Sequence, residues 1–236
     1  MSRLCALALL TFVCGSLLAG DDHSAADKKA LAPLQLFVGS WKGTGTPKTG
    51  GKEAWGEEAD GQWEFKDGHA AIVIAITGGK YYAAARLEPG DKEGSFVFTG
   101  TLPENKGSEK YTGSTVKGGD LELLPAAPAE GRPEKIIIGT LAKGNRMVLT
   151  YYKKNGDTFA PLAEVGWTRK GSGFGKDPNA KECVVTGGLG TIAVSYKGQT
   201  YYVCCGGCKS EFNENPEKVL AEYKKRKEDE KAQAPK

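Results

Sequence analysis

The sequence predicts a mostly β protein: an up-and-down antiparallel β-barrel of about ten strands, then a small module made of a β-hairpin and a helix. Three observations lead there. From Leu34 to Arg169 short apolar runs follow one another, several of them alternating, as Phe96 and Phe98 do around Val97. Glycine-, proline-, asparagine- and aspartate-rich turns separate the runs, and 33 glycines in 236 residues is about twice ordinary usage. No amphipathic helix of useful length interrupts the series, whereas after residue 180 the composition changes and the cysteines appear.

The chain begins unlike its remainder. Arg3 gives a basic start, Leu4 to Leu18 is almost wholly apolar, and the small residues Ala19 and Gly20 precede the polar Asp21-Asp22-His23-Ser24. That length is short for a membrane span and right for a secretory signal, so residues 1–20 are expected to be an export signal cut near residue 20. The protein is then periplasmic or secreted; the alternative is an uncleaved N-terminal anchor. No other segment is long and apolar enough to span a bilayer. Residues 21–33 are polar and alanine-rich, a linker or a short helix leading into the fold.

The expected barrel spans residues 34–170. Its strands are Gly39–Gly45, Gln62–Lys66, Ala70–Thr77, Tyr81–Glu88, Ser95–Leu102, Lys110–Val116, Leu121–Leu124, Lys135–Leu141, Met147–Lys153 and Glu164–Arg169. The breaks between them include Gly78-Gly79, Pro89-Gly90-Asp91, Gly118-Gly119-Asp120, Lys143-Gly144-Asn145 and Asn155-Gly156-Asp157, which allow the positive φ of hairpin turns. Closing the strands into a barrel removes exposed edges. Gly171 to Pro178 is glycine-rich, so residues 171–179 mark a linker.

The opening Gly39-Ser40-Trp41-Lys42-Gly43-Thr44-Gly45 resembles that of lipocalin-like barrels, and more closely that of nitrobindin-like and fatty-acid-binding-type barrels. The resemblance implies a structural role for Trp41 at the closed end and a cavity for a small hydrophobic ligand or haem. Haem is not expected. Nitrobindin-like proteins ligate iron through a late histidine, and Met147–Lys153 and Glu164–Arg169 contain none. His69 is the only histidine in the barrel and sits beside a turn, a setting more often surface or hydrogen-bonded than ligating. Ala70-Ala71 and Ala83-Ala84-Ala85 leave room inside or pack closely; close packing is the simpler reading.

Of six cysteines, Cys5 and Cys14 lie in the leader and should be lost with it. Cys183, Cys204, Cys205 and Cys208 remain, all in the expected module at residues 180–231. A strand Thr191–Tyr196, a turn Lys197-Gly198 and a strand Thr200–Val203 lead to Cys204, and Asn215-Pro216 opens a helix running towards Lys231. So small a module buries too little apolar surface to be comfortably stable alone, so a metal or disulfide staple is expected. The hairpin brings Cys183 towards Cys204 and Cys208, and thiolates are soft donors suited to zinc or copper(I).

Cys183, twenty intervening residues, Cys204, three more and Cys208, with Tyr196 to Val203 before them and Phe212 and Asn215-Pro216 after, resembles the TRASH/YHS class of metal-binding modules. The resemblance implies heavy-metal binding or sensing, with Cys183, Cys204 and Cys208 as ligands. Many members carry a cysteine three residues after the first, where this chain has Thr186. Three thiolates suit trigonal copper(I), whereas structural zinc normally takes four ligands. Cys205 is the available fourth, yet in an extended strand its side chain points away from that of Cys204 unless the glycines after it redirect it.

Two disulfides are the alternative, favoured by the count and the compartment and opposed by the adjacency of Cys204 and Cys205. A thiol oxidoreductase using Cys205 and Cys208 lacks the surrounding βαβ context. Nothing resembles a hydrolase triad or a phosphate-binding loop, so an enzyme is the weaker expectation and no catalytic residue is assigned. Lysine and arginine number 32 against 29 acidic residues, which gives no reason to expect nucleic acid as a partner. The expected function is that of an exported metal-binding protein whose barrel is a scaffold or the carrier of a small hydrophobic ligand.

Overall fold

A computed structural model describes residues 23–49, 53–116, 118–141, 144–170 and 181–233. The expected export signal at 1–20 and the glycine-rich linker at 171–179 lie outside the described residues. Ten strands form a closed antiparallel barrel: β1 (Gly39–Pro47), β2 (Trp55–Lys66), β3 (His69–Thr77), β4 (Ala84–Pro89), β5 (Ser95–Thr101), β6 (Ser108–Thr115), β7 (Leu121–Pro125), β8 (Lys135–Leu141), β9 (Arg146–Asn155) and β10 (Thr158–Arg169). Each strand pairs with the next, and β1 closes on β10 with Trp41 opposite Arg169 and Gly45 opposite Val165.

Period-2 alternation decides what fills the interior. Along β5 the buried residues are Phe96, Phe98 and Gly100, and along β2 they are Glu57, Ala59, Gly61 and Trp63. Trp41, Trp63, Trp167, Tyr111 and Phe96 are among the largest fully buried side chains. Trp41 donates its indole N–H to the Phe37 carbonyl at 3.1 Å, with the Arg169 guanidinium 4.2 Å above its ring. The same guanidinium donates to the carbonyls of Val38 at 2.7 Å and Leu36 at 2.8 Å, which locks the entry segment onto the last barrel strand.

Glu57 is buried inside the barrel, and its two carboxylate oxygens accept the indole N–H groups of Trp167 at 2.6 Å and Trp55 at 2.9 Å. Elsewhere in the interior the Tyr82 hydroxyl donates to that of Tyr111 at 3.0 Å, and Arg132 pairs with Glu109 at 2.5 Å. These partners are what make a polar interior tolerable.

The segment expected as a linker or short helix forms α1 (Ser24–Leu31), followed by a 3-10 helix (Ala32–Phe37). Asp27 accepts from the Ala70 backbone N–H and lies 3.0 Å from His69 Nδ1, and Leu31, Leu34 and Phe37 are buried. Helix α1 lies over β3, and Ala70 and Ala71 are both buried there, so the small residues serve close packing. His69 is on this outer side, its ring stacked on His23 at 5.1 Å.

After the barrel come a two-residue pairing of β11 (Lys181–Glu182) with β12 (Leu189–Gly190), the hairpin β13 (Ile192–Tyr196) and β14 (Gln199–Val203), and helices α2 (Gly206–Glu214) and α3 (Pro216–Gln233). Lys197 and Gly198 turn the hairpin with φ of 48° and 76°, the left-handed pair a two-residue hairpin needs. Tyr196 and Tyr201 pack their rings on Phe212 of α2 at 6.4 and 5.6 Å.

The module joins the barrel at a gap in the sheet. Pairing of β1 with β2 ends at Gly39 opposite Gly61, while β2 continues to Lys66 paired only with β3. Helix α2 lies along this uncovered stretch of β2. A Cβ on Gly207 would stand 1.7 Å from the Trp63 carbonyl oxygen, so only glycine permits the approach.

Candidate metal centre

The sulfurs of Cys183, Cys204 and Cys208 all lie within 4.8 Å of one another. Cys204 and Cys208 are 3.5 Å apart, and Cys204 and Cys205 are 3.9 Å apart. All four are free thiols, and Cys183, Cys205 and Cys208 are buried. Four thiolates at zinc–sulfur distances of about 2.3 Å around a tetrahedral ion stand about 3.8 Å from each other, so the observed edges are of the size an ion requires.

Local structure delivers each sulfur. Cys183 opens a tight turn in which its carbonyl accepts from Gly187 N–H at 2.8 Å and its own N–H donates to the Gly188 carbonyl at 2.7 Å. Gly187 has φ of +80°, which closes the turn and points the thiol inward. Cys204 leaves the end of β14, and Cys208 stands in the first turn of α2. Thr186 faces the same cluster with its hydroxyl 3.6 Å from Cys204 Sγ.

Cys205 does not point away as strand alternation predicts. The strand stops at Val203, and Cys205 becomes the residue before α2, with an extended φ of −158°. This change of element turns its sulfur back towards Cys204 and Cys208, and it accepts the Trp63 backbone N–H at 3.5 Å. It falls outside the set of three whose sulfurs are all mutually within 4.8 Å.

Electrostatics follow from this crowding. Hydrogen bonds from the Cys204 and Cys208 thiols hold Cys183 well below the usual thiol range, and bonds from the same two groups lower Cys205. Cys204 and Cys208 are pushed up in return, each first through its hydrogen bond with Cys183. Four sulfurs crowded in this way are a donor set for a soft cation.

Two supporting groups carry no signature in the sequence. Arg226 of α3 donates to the carbonyls of Cys183 and Val184, both at 3.2 Å, and pairs with Glu182 at 3.1 Å, so a distant helix fixes the first cysteine turn. The other is the Trp63 backbone N–H, visible only once the β2 edge is known to be open. The helical spacing of Val219, Leu220 and Tyr223 could have suggested that α3 packs inward, with Arg226 one turn further on.

No family model matches the chain, and no curated protein matches it. Among solved structures it is similar to the crystal structure of Rv2717c from M. tuberculosis, with 17% identity and a TM-score of 0.39 over 60% of this chain and 97% of that one.

Proposed function

We propose that this is an exported protein that binds a soft metal ion, copper(I) or zinc, through the thiolates of Cys183, Cys204 and Cys208, with the barrel as its scaffold. The carrying observation is the convergence of those three sulfurs to within 4.8 Å of one another. The spacing shared with TRASH/YHS modules and the thiolate chemistry of soft ions support the same reading. Export rests on the apolar leader ahead of Asp21. Among the described residues no helix is long and apolar enough to cross a membrane.

Elemental analysis of residues 21–236 purified under reducing conditions tests the proposal. Near-stoichiometric zinc or copper that is lost in both Cys204→Ser and Cys208→Ser is the expected result. A chain that takes up neither ion after reconstitution, with its four cysteines oxidised in the untreated protein, would sink it.

A further inference from the structure

Resting on the metal-binding reading, we infer that Cys205 is a fourth thiolate ligand, positioned by the open edge of the barrel, and that the site is built for a tetrahedral divalent ion of the zinc class. The sulfur of Cys205 is 3.9 Å from that of Cys204 and in hydrogen-bond contact with that of Cys208. Thr186, the other polar group against Cys204, offers only a hydroxyl at 3.6 Å and so no fourth sulfur. The start of α2 at Gly206 turns Cys205 inward, which places a fourth sulfur beside the other three.

The barrel holds that sulfur in place. Trp63 N–H belongs to the stretch of β2 beyond Gly61 that has no β1 partner, and it donates to Cys205 Sγ at 3.5 Å. An N–H···S bond of this kind orients a ligand as outer-shell partners do in other metal sites. Its geometry depends on α2 lying against the edge, which Gly207 permits. Cys204 and Cys208, 3.5 Å apart, only have to open by a few tenths of an ångström to accept an ion of this class. Cys183 and Cys205 are the pair that must draw together, because Cys205 stands outside the mutual set of three.

Cobalt(II), a coloured stand-in for zinc, tests this on the mature full chain. Wild type is expected to show the absorption of a tetrahedral four-thiolate site, and Cys205→Ser to lose about a quarter of the sulfur-to-cobalt charge-transfer intensity, one thiolate of four. Gly207→Ala keeps every thiol but displaces α2 from Trp63; its zinc affinity is expected to fall by about 10- to 100-fold, the usual effect of disturbing an outer-shell partner. Near-UV circular dichroism checks that the barrel is intact in both variants. Cobalt spectra of equal intensity in wild type and Cys205→Ser would overturn the fourth ligand, and an unchanged zinc affinity in Gly207→Ala would overturn its positioning by the barrel. Failure of the wild type to take up any ion would instead refute the metal-binding reading itself.

Discussion

Glu57 shows how much can depend on one side chain. It places a carboxylate in an aromatic interior and satisfies both oxygens with indole N–H groups from Trp55 and Trp167. Glu57→Ala leaves those donors without their acceptor, and the expected loss is about 3–5 kcal/mol, measured as a shift in urea unfolding followed by tryptophan fluorescence. Glu57→Gln, which keeps one acceptor, should cost roughly 1–3 kcal/mol. None of this was legible in the sequence. Glu57, Glu58 and Asp60 stand between two glycines without an apolar run, so the sequence predicts only Gln62–Lys66 of β2 as a strand. A buried acid betrays itself through its partners, and of these Trp55 lies two residues away but Trp167 lies 110 residues on. For Cys205 the sequence leaves two directions open, away from Cys204 along a strand or back towards it at the glycines, and the start of α2 at Gly206 selects the second. Alternation is a rule for strands, and it lapses where one element hands over to the next.

Elements were read more easily than their ends. The alternating runs and turn glycines locate all ten barrel strands, because each strand buries one face and each hairpin needs its own backbone geometry. The extent of α2 is not legible in the sequence, because Gly206-Gly207 is poor helix-forming sequence until the Trp63 carbonyl beside Gly207 is seen to demand it. The elements that hold Cys183 make their own prediction. Arg226→Ala removes the donor that ties α3 to the first cysteine turn, and zinc affinity measured by chelator competition should fall by about tenfold with the barrel unchanged. Strands β6 and β9 make another. Burial pushes up the phenols of Tyr82 on the loop before β4, Tyr111, to about 12, and Tyr151. A raised phenol favours folding fully below its ordinary value near 10 and ceases to do so as pH rises through the folded value. Barrel stability should therefore hold up to about pH 10 and fall above it. Phenolate absorbance of these three should appear only with loss of the near-UV signal; ionisation alongside the exposed tyrosines would contradict the burial.

At the scale of the whole molecule, the module and the barrel complete each other. The module contributes α2 to an edge that β1 leaves bare, and the barrel contributes an N–H to a sulfur. Lys28 of α1 pairs with Glu222 of α3 at 2.5 Å, so the helices at the two ends of the described chain also meet. A chain ending at Lys170 would present Gln62 to Lys66 as an unpaired strand edge, and such edges invite pairing with another chain. It is expected to self-associate at concentrations where the full chain does not, as read by light scattering; an equally monomeric truncation would show the edge to be harmless. Acidification should release the ion from the full chain, because protons compete with metal for thiolates, and the loss should precede unfolding of the barrel.

The closure of β1 on β10 also sets an order of events in time. Trp41 cannot meet Arg169 until nearly the whole barrel has been made, so folding waits for a contact between distant parts of the chain. The cysteines emerge later still, after the strand that closes the ring. The lip against which Cys205 rests can therefore exist before its sulfur arrives, and the four thiols then gather on a prepared surface: assembly of the cysteine cluster becomes the last step of folding.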